Sequence, residues 1–406
     1  MNTAAALAPG AADARGMART AALVLAALAL SLFAPTMALL VAWIAVVDSA
    51  RSAPQWLAWP LAAFAHAGAL VFASRSFDAT SSDFVNYFDV YSATCAGSAS
   101  LEDALLAFGS ELGLPLVYRL LSALGLCGLS IHGLAWLQGF VTSTALLMVV
   151  TRHALRETPA DERPLALGGL CLMFSFFLST QLSRQAASSV FVLSALWLAR
   201  TRRARLLQVL LGTLFHLTAP LVWGLAILLR DRLRRALPAL LAVTLVSLLA
   251  FDRIVAFAVE NVGAFEVLAK LAIYAVQEDD GGGPMSDLQA VVMLAVAGGL
   301  LLMRARREPR LRGAAQLLLG FALIGLALLP VPLAATRLTL PLAWIAIGWF
   351  LFRGLAGIGR PFAWAALLAL LALRVGLWSL PGEGDHALWF AYPPASWMPG
   401  YYLTTF

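Results

Sequence analysis

The sequence contains little charge. Asp, Glu, Lys and Arg make up 12% of its 406 residues, whereas hydrophobic residues make up 61%. Soluble domains carry about twice that share of charge and fewer apolar residues. Apolar runs such as 134–150 and 165–178 approach the roughly 20 residues that a membrane helix needs. The composition therefore excludes an ordinary soluble protein and predicts an all-α, polytopic transmembrane bundle, with residues 1–406 forming a single membrane domain.

Cysteine and lysine are also scarce. The three cysteines, Cys95, Cys127 and Cys171, form no C-x-x-C pair, so the sequence predicts neither a disulfide framework nor a metal site. Lys270 is the only lysine, and the net charge of +6 comes from arginines in short clusters between apolar runs. Such clusters are typical of membrane topology signals rather than of nucleic-acid binding. No cofactor and no nucleic-acid partner are predicted.

The arginine clusters predict which loops face the cytoplasm, because cytoplasmic loops carry an excess of Arg and Lys. They lie at 151–164, 199–205, 230–235, 304–312 and 353–360. The acidic or aromatic segments 74–130, 252–286 and 381–406 are then expected outside. The first is expected to carry amphipathic helices that lie on the outer face of the bundle.

Two apolar runs have the wrong length for simple spans. The run 206–229 has cytoplasmic clusters on both sides but is barely longer than one span, and His216 and Pro220 lie near its centre. Two half-helices that meet at a polar apex would resolve the topology, because broken helices are tolerated where they line a cavity. Pro35 similarly divides 18–49, and three short crossings are expected before Arg75. The predicted total is 11–13 membrane helices.

Polar residues interrupt the apolar stretch 176–200. Gln181, Arg184, Gln185 and Ser188 follow the spacing i, i+3, i+4, i+7, which places them on one face of a helix. An Arg at the bilayer centre costs roughly 2.5–3.5 kcal/mol. Arg184 is therefore interpreted either as a boundary cation that snorkels to the interface or as a cavity residue that binds an anion.

Further polar candidates lie on the predicted outer side. Arg337 is expected to reach the same side as Arg184, and guanidinium groups bind phosphate oxygens in a bidentate manner. Asp83 precedes Tyr87 by one helical turn, which fits either a binding face or an interfacial amphipathic helix. Glu111 and Asp83 are candidate general bases. His216 is interpreted either as a third candidate base or as a hydrogen-bond donor between helices.

Taken in this order, these residues resemble the EpsG family of exopolysaccharide proteins, which is related in role to the Wzy polysaccharide polymerases. The resemblance covers the chain from about residue 75 to the tail, with S-S-D at 81–83 where the family has G-T-D. It rests on D-x-x-x-Y at Asp83–Tyr87, E-x-G at Glu111–Gly113, R-Q at Arg184–Gln185, F-H at Phe215–His216, and a late Arg at Arg337.

The resemblance implies a glycosyltransferase that polymerises oligosaccharide repeats linked to undecaprenyl pyrophosphate. The implied location is the bacterial inner membrane, with the active site toward the periplasm. Donor and acceptor would both be lipid-linked repeats among membrane lipids, and a chain-length regulator is a candidate partner. Asp83, Glu111 and His216 would be catalytic. Substrate would be bound by Tyr87, Gln181, Arg184, Gln185 and Arg337.

Three other functions fit the same residues. A multi-span transferase that uses a lipid-phosphate sugar would also place an Asp in its first outer loop. An O-antigen ligase would use similar groups with a lipid A acceptor. A flippase or transporter of lipid-linked sugar is the non-enzymatic alternative, but it is expected to carry cavity charges in both halves of the membrane and an internal repeat, which this sequence lacks.

Overall fold

The computed structural model describes residues 11–74, 83–98, 111–260, 283–331 and 333–379, which are helical with no strand among them. From the N-terminus the helices are α1 Ala11–Ser31, α2 Pro35–Ser52, α3 Ala58–Ala73, α4 Asp83–Cys95, α5 Gly113–Ala123, α6 Ile131–Glu157, α7 Arg163–Met173 and α8 Phe176–Gln181. They continue with α9 Ser183–Trp197, α10 Arg202–Phe215, α11 Ala219–Glu260, α12 Gly283–Arg304, α13 Arg312–Leu328, α14 Ala334–Leu355 and α15 Arg360–Ser379.

The predicted all-α membrane bundle is confirmed. In the described part of the chain, 5 helices are long and apolar enough to cross a bilayer. They are Ala14–Ser31, Ile131–Glu157, Met285–Arg304, Pro309–Leu328 and Ala334–Leu355. Shorter apolar helices, including α3, pack among them. The number of crossings in the whole chain stays a prediction.

Both predicted breaks are present. The run 206–229 divides into α10 and α11, because His216 adopts an extended backbone and ends α10. Pro35 begins α2 after the chain has left α1, as expected for a residue that favours the first turn of a helix. Three helices, α1 to α3, therefore precede Arg75. Of these, α1 is long and apolar enough to cross a bilayer and α3 is a shorter apolar helix, so three crossings stay a prediction.

A third break was not predicted, and it divides the stretch 176–200 at Leu182. The Thr180 hydroxyl donates to the Phe176 carbonyl at 2.8 Å, and the Ser183 hydroxyl donates to the Thr180 carbonyl. Such side-chain bonds compete with the helical ladder, and Leu182 is non-helical with ψ of 48°. Gln181 therefore ends α8 instead of continuing the polar face of α9, so the predicted four-residue stripe is wrong at its first member.

The segments that were predicted to lie outside differ in part from their predicted bounds. In its described part, segment 74–130 carries helices α4 and α5, as expected. The predicted loop 252–286 is helical at both ends, because the apolar run extends α11 to Glu260 and α12 already begins at Gly283. Arg232 has a non-helical φ of −133°, so the cluster 230–235 is a kink within α11. The tail 381–406 lies outside the described residues.

A disulfide joins Cys95 to Cys127, so the prediction that the cysteines form no disulfide was wrong. Their Cα atoms are 5.4 Å apart although 32 positions separate them in the sequence. The pairing depends on how α4 folds back toward the start of α6, which no local motif encodes. Cys171 is buried and unpaired.

Helices α12 and α14 each carry charge near both ends. Asp287 and Arg304 lie on α12, and Arg337 and Arg353 lie on α14. At 1.5 Å per residue, each pair is separated by about 25 Å along the helix, close to the thickness of the hydrocarbon core. The bundle therefore contains two polar regions, one at each end.

One region is a closed group of four charges, called here the Glu162 cluster: Glu162, Arg304, Glu308 and Arg353. The Arg304 guanidinium donates to Glu162 at 2.8 Å and to Glu308 at 2.5 Å, and Arg353 donates to the same two carboxylates. Arg353 is 1% exposed. The sequence placed Arg353 in a solvent-facing cytoplasmic loop, but these ion pairs draw it into the bundle.

Candidate functional site

The second polar region brings together four residues that are far apart in the sequence. This group, called here the Glu111 cluster, consists of Tyr87, Glu111, Arg184 and His216. Arg184 Nη1 donates to Glu111 Oε2 at 2.6 Å, and the Arg184 guanidinium carbon lies 5.8 Å from the centre of the Tyr87 ring. His216 Nδ1 is 3.8 Å from Glu111 Oε1. Four of the sequence-predicted residues therefore form one site.

Close packing of Gly113 against Phe215 explains how this site is assembled. A Cβ at Gly113 would lie 2.5 Å from the Phe215 ring and 2.9 Å from its Cα, so only glycine allows this approach. Glu111 precedes Gly113 by two residues, and His216 directly follows Phe215. The glycine contact therefore brings the carboxylate and the imidazole to the same place.

The break after α10 orients His216. Thr218 donates to His216 Nδ1 from its backbone N–H at 3.2 Å, and its hydroxyl oxygen lies 2.8 Å from the same atom. A backbone N–H can only donate, so Nδ1 accepts. The neutral imidazole then carries its proton on Nε2, and this tautomer can donate a hydrogen bond from Nε2.

Glu111 is held tightly while its partners remain partly accessible. The Glu111 side chain is 9% exposed, compared with 27% for Arg184 and 23% for His216. The backbone N–H of Leu217 donates to Glu111 Oε1 at 3.1 Å, so both carboxylate oxygens are engaged. A buried carboxylate needs such partners. The accessible part of the site consists of a cation and an imidazole.

Arg337 adjoins the site through the backbone. Gln185, the residue after Arg184, donates its side-chain amide to the Arg337 carbonyl. Gln185 is 5% exposed, so its amide holds α9 to the first turn of α14, a structural use that the sequence did not predict. Arg337 itself is half-buried. The bond between Gln185 and Arg337 therefore holds the segments that carry the two arginines together.

The sequence analysis missed Asp287. This residue is fully buried near the start of α12, and its Oδ1 accepts the Thr336 N–H at 2.6 Å. It thereby satisfies a free donor at the start of α14, where Leu333 has a left-handed φ of 59°. Asp287 is also close enough to Arg337 for their charges to interact. A lone Asp at the start of an apolar helix was the available signal.

Tyrosines of α4 and α5 bond these two helices to neighbouring parts of the chain. Tyr91 donates to the Leu126 carbonyl at 2.5 Å, and Tyr118 accepts from the Gln138 amide at 2.8 Å. The Cys95–Cys127 disulfide ties the end of α4 to the same region. Asp83 is the first residue of α4, one turn before Tyr87, but its side chain lies outside the described residues.

Comparisons of the chain with family models, curated proteins and solved structures found no match.

Proposed function

We propose that this protein is a polysaccharide polymerase that joins oligosaccharide repeats carried on undecaprenyl pyrophosphate. The observation that carries the proposal is the Glu111 cluster, in which a buried carboxylate binds Arg184 beside the His216 imidazole at one end of a membrane bundle, next to Arg337. Cationic donors at such a depth suit a lipid pyrophosphate, because guanidinium groups bind its oxygens strongly when partly desolvated.

In the proposed reaction, a hydroxyl of the acceptor repeat attacks the anomeric carbon of the donor glycan. The bond from that carbon to the pyrophosphate oxygen breaks, and its electron pair leaves with the pyrophosphate. Arg184, Arg337 and His216 Nε2–H stabilise the charge that develops on this leaving group. The proton of the attacking hydroxyl passes to a carboxylate.

Asp83 is the carboxylate that we assign as the base. Glu111 is engaged by both Arg184 and the Leu217 N–H, which suits a positioning residue. His216 in its Nε2-protonated form is a donor. Asp83 begins α4 one turn before Tyr87, whose ring faces Arg184. A positioned base contributes about 10²–10⁴-fold in rate.

The alternative of a flippase receives less support from the distribution of charge. A flippase needs polar groups that are accessible along the whole transport path. In the Glu162 cluster the two arginines and two glutamates pair with one another, and Arg353 is 1% exposed. The partly accessible charges of the Glu111 cluster lie at the other end of the bundle, as expected for an enzyme that acts on one face.

The disulfide supports a periplasmic orientation of the proposed site. Disulfides persist in the bacterial periplasm and are rare in the cytoplasm. Cys95 and Cys127 flank the segment that contains Glu111. This orientation agrees with the arginine clusters. If it is correct, a cysteine introduced at Ser98 should react with an impermeant maleimide in whole cells, whereas one at Thr201 should react only after lysis. The reverse pattern would overturn the orientation.

The function is tested by the lengths of lipid-linked glycans in cells that lack this protein. Accumulation of single repeats supports a polymerase, whereas absent repeats indicate an earlier transferase and long unattached chains indicate a ligase. Restoring the gene with Arg119→Ala should recover long chains. Arg119 is an exposed arginine on α5 and makes no contact within the Glu111 cluster. It therefore controls for the loss of one positive charge on the same face.

A further inference from the structure

A cavity of about 570 Å³ opens within the bundle, within the usual range for small-ligand sites. Its wall is predominantly apolar and comes from α2, α3, α7, α8, α12, α14 and α15. Six of these helices contribute Leu39, Phe72, Leu172, Phe176, Trp344 and Leu371. Phe72, near the end of α3, belongs to the same buried apolar group as Tyr87 and Phe215, whereas Trp344 lies at the middle of α14. The cavity therefore extends from the middle of the bundle toward the end that holds the Glu111 cluster.

The cavity adjoins this site through the start of α12. Ser286 lines the cavity, and its hydroxyl lies 3.3 Å from the hydroxyl oxygen of Thr336. The next residue on α12, Asp287, accepts the Thr336 N–H, and Arg337 follows Thr336 in the chain. At one end of the cavity, Ser286 thus contacts Thr336, the residue before Arg337, which is a proposed pyrophosphate-binding arginine.

Two segments of irregular backbone line this cavity. Pro341–Ala346 forms a π-helical turn that carries Trp344, and the break between α7 and α8 places the Ser175 N–H 3.1 Å from the Trp344 carbonyl. At Gly68 of α3, a Cβ would lie 2.2 Å from the Phe176 ring, so glycine makes room for this turn. Within a membrane, such backbone is tolerated where protein buries it or where it lines a cavity, and π-turns are frequent at functional sites.

One arginine lies in the wall of the cavity. Arg374 of α15 lines the cavity, as do Ser286 and Gln289 of α12. Within the described residues, Arg374 makes no hydrogen bond or ion pair. An apolar cavity with a guanidinium in its wall suits a hydrophobic chain that is attached to a phosphate, because the wall can bury the chain and the guanidinium can bind the phosphate.

We propose that this cavity holds the part of the polyprenyl chain nearest the phosphates of the lipid-linked donor, with Arg374 contacting the phosphate next to the chain. The inference rests on the proposed function for the identity of the lipid. It adds a binding site for the carrier chain, separate from the residues that act on the sugar. The chain would enter laterally from the lipid, and its pyrophosphate would extend toward Arg337.

Binding of the carrier lipid alone tests this site without any requirement for catalysis. The purified full chain would be titrated with undecaprenyl monophosphate and examined by native mass spectrometry. Leu371→Trp fills the cavity from α15, whereas Leu368→Trp adds the same ring at a position that is 56% exposed and does not line it. Each methylene displaced from an apolar site is worth about fourfold in affinity. Leu371→Trp should therefore weaken binding by about tenfold or more, and Leu368→Trp should leave it unchanged.

Arg374→Gln separates the phosphate contact from the chain contact. It should weaken binding of undecaprenyl monophosphate but not of uncharged undecaprenol, whereas Leu371→Trp should weaken both. Equal competition by phosphatidylglycerol would show that the cavity holds ordinary membrane lipid and would overturn the proposal. So would wild-type affinity in Leu371→Trp.

The same variants distinguish this inference from the proposed function. Chain elongation at the wild-type rate in Leu371→Trp would refute the carrier site and leave the polymerase intact. Specific lipid binding by a protein that never elongates glycan would refute the polymerase and leave the carrier site.

Discussion

The Glu162 and Glu111 clusters use the same kinds of side chain in opposite ways. In the Glu162 cluster, Arg304 and Arg353 each contact both glutamates, and the side chains of the two arginines are 8% and 1% exposed. In the Glu111 cluster, Arg184 pairs with Glu111 but remains 27% exposed. In the Glu162 cluster the buried charges neutralise one another. In the Glu111 cluster, partial exposure leaves Arg184 accessible to a ligand.

This difference separates a structural use of arginine from a binding use. Removing one partner from a closed buried group leaves other charges without compensation, which destabilises the fold. Removing an arginine from an accessible site mainly weakens ligand binding and has a smaller effect on folding. The two clusters should therefore respond differently to the same substitution.

The largest effect on stability is expected from Arg353→Ala. The substitution would leave Glu162 and Glu308 sharing only Arg304 as a buried partner, and breaking such a pair costs roughly 3–5 kcal/mol. Thermal unfolding in detergent, followed by fluorescence-detected gel filtration, should show a much lower midpoint or no folded protein.

Arg360→Ala is the matched control for Arg353→Ala. Arg360 also pairs with a carboxylate, that of Asp161, but the two side chains are 54% and 50% exposed. Exposed pairs contribute about 0–1 kcal/mol. Equal destabilisation by the two variants would mean that enclosure of the Glu162 cluster is not what stabilises the bundle.

Arg184→Ala is expected to affect activity more than folding, because Arg184 is 27% exposed and Glu111 keeps its bond from the Leu217 N–H. If Arg184 stabilises the leaving pyrophosphate, its loss should reduce chain elongation by about 10²–10³-fold, as for other donors to a developing negative charge. Arg184→Lys should recover only part of this activity, because an ammonium lacks the planar fork. Elongation of a synthetic lipid-linked repeat by purified protein measures both. Wild-type elongation rates in Arg184→Ala would show that Arg184 is only a boundary cation that snorkels to the interface.

The fold was largely predictable because its determinants are local. The apolar runs predicted the bundle, and Pro35 and His216 marked the two breaks that the structure contains. The break at Leu182 was not predicted, because it depends on which Ser and Thr hydroxyls bond to the backbone of their own turn. The Cys95–Cys127 disulfide depends on tertiary proximity across 32 positions.

The candidate site was predictable in its members but not in their roles. Glu111, Arg184 and His216 were selected as polar residues on one side of the membrane, and the structure brings them together. The sequence could not show that Glu111 uses both oxygens to hold its neighbours or that Gln185 bonds to the Arg337 carbonyl. These roles follow from distances between helices, which hydrophobic periodicity does not encode.

Gly113→Ala tests the packing that joins Glu111 to His216. The new methyl group would meet Phe215 at 2.5 Å, and such overpacking costs typically about 1–3 kcal/mol. Because Phe215 precedes His216, elongation should fall together with the unfolding midpoint. Gly128→Ala is the control, since a Cβ there meets nothing within 4 Å. Unchanged stability and rate in Gly113→Ala would show that α10 does not position the site through this contact.

The smallest effect concerns the acid sensitivity of Glu308, the most exposed carboxylate of the Glu162 cluster. Partial burial acts to raise its pKa, but the hydrogen bond from Arg304 and the charge of Arg353 outweigh burial, so the pKa lies below the ordinary value of 4.5. A carboxylate with a depressed folded pKa contributes stability that is present above the unfolded pKa and is lost as pH falls through the folded pKa. The unfolding midpoint should therefore hold from pH 7 to about pH 5 and decline below about 4.5.

Glu308→Gln isolates this contribution. The amide cannot ionise, so the variant should be less stable than wild type at pH 7. The loss should be smaller than for Arg353→Ala, because Arg304 and Arg353 both keep Glu162 and Glu308 is 25% exposed. The difference between the two proteins should shrink as the wild-type carboxylate becomes protonated. If the difference stays constant from pH 7 to pH 3, Glu308 does not contribute through its charge, and the stability of the cluster depends on Glu162 with the two arginines. A converging pair of curves would instead show that even the accessible edge of this cluster contributes to folding, unlike Arg184 at the other end of the bundle.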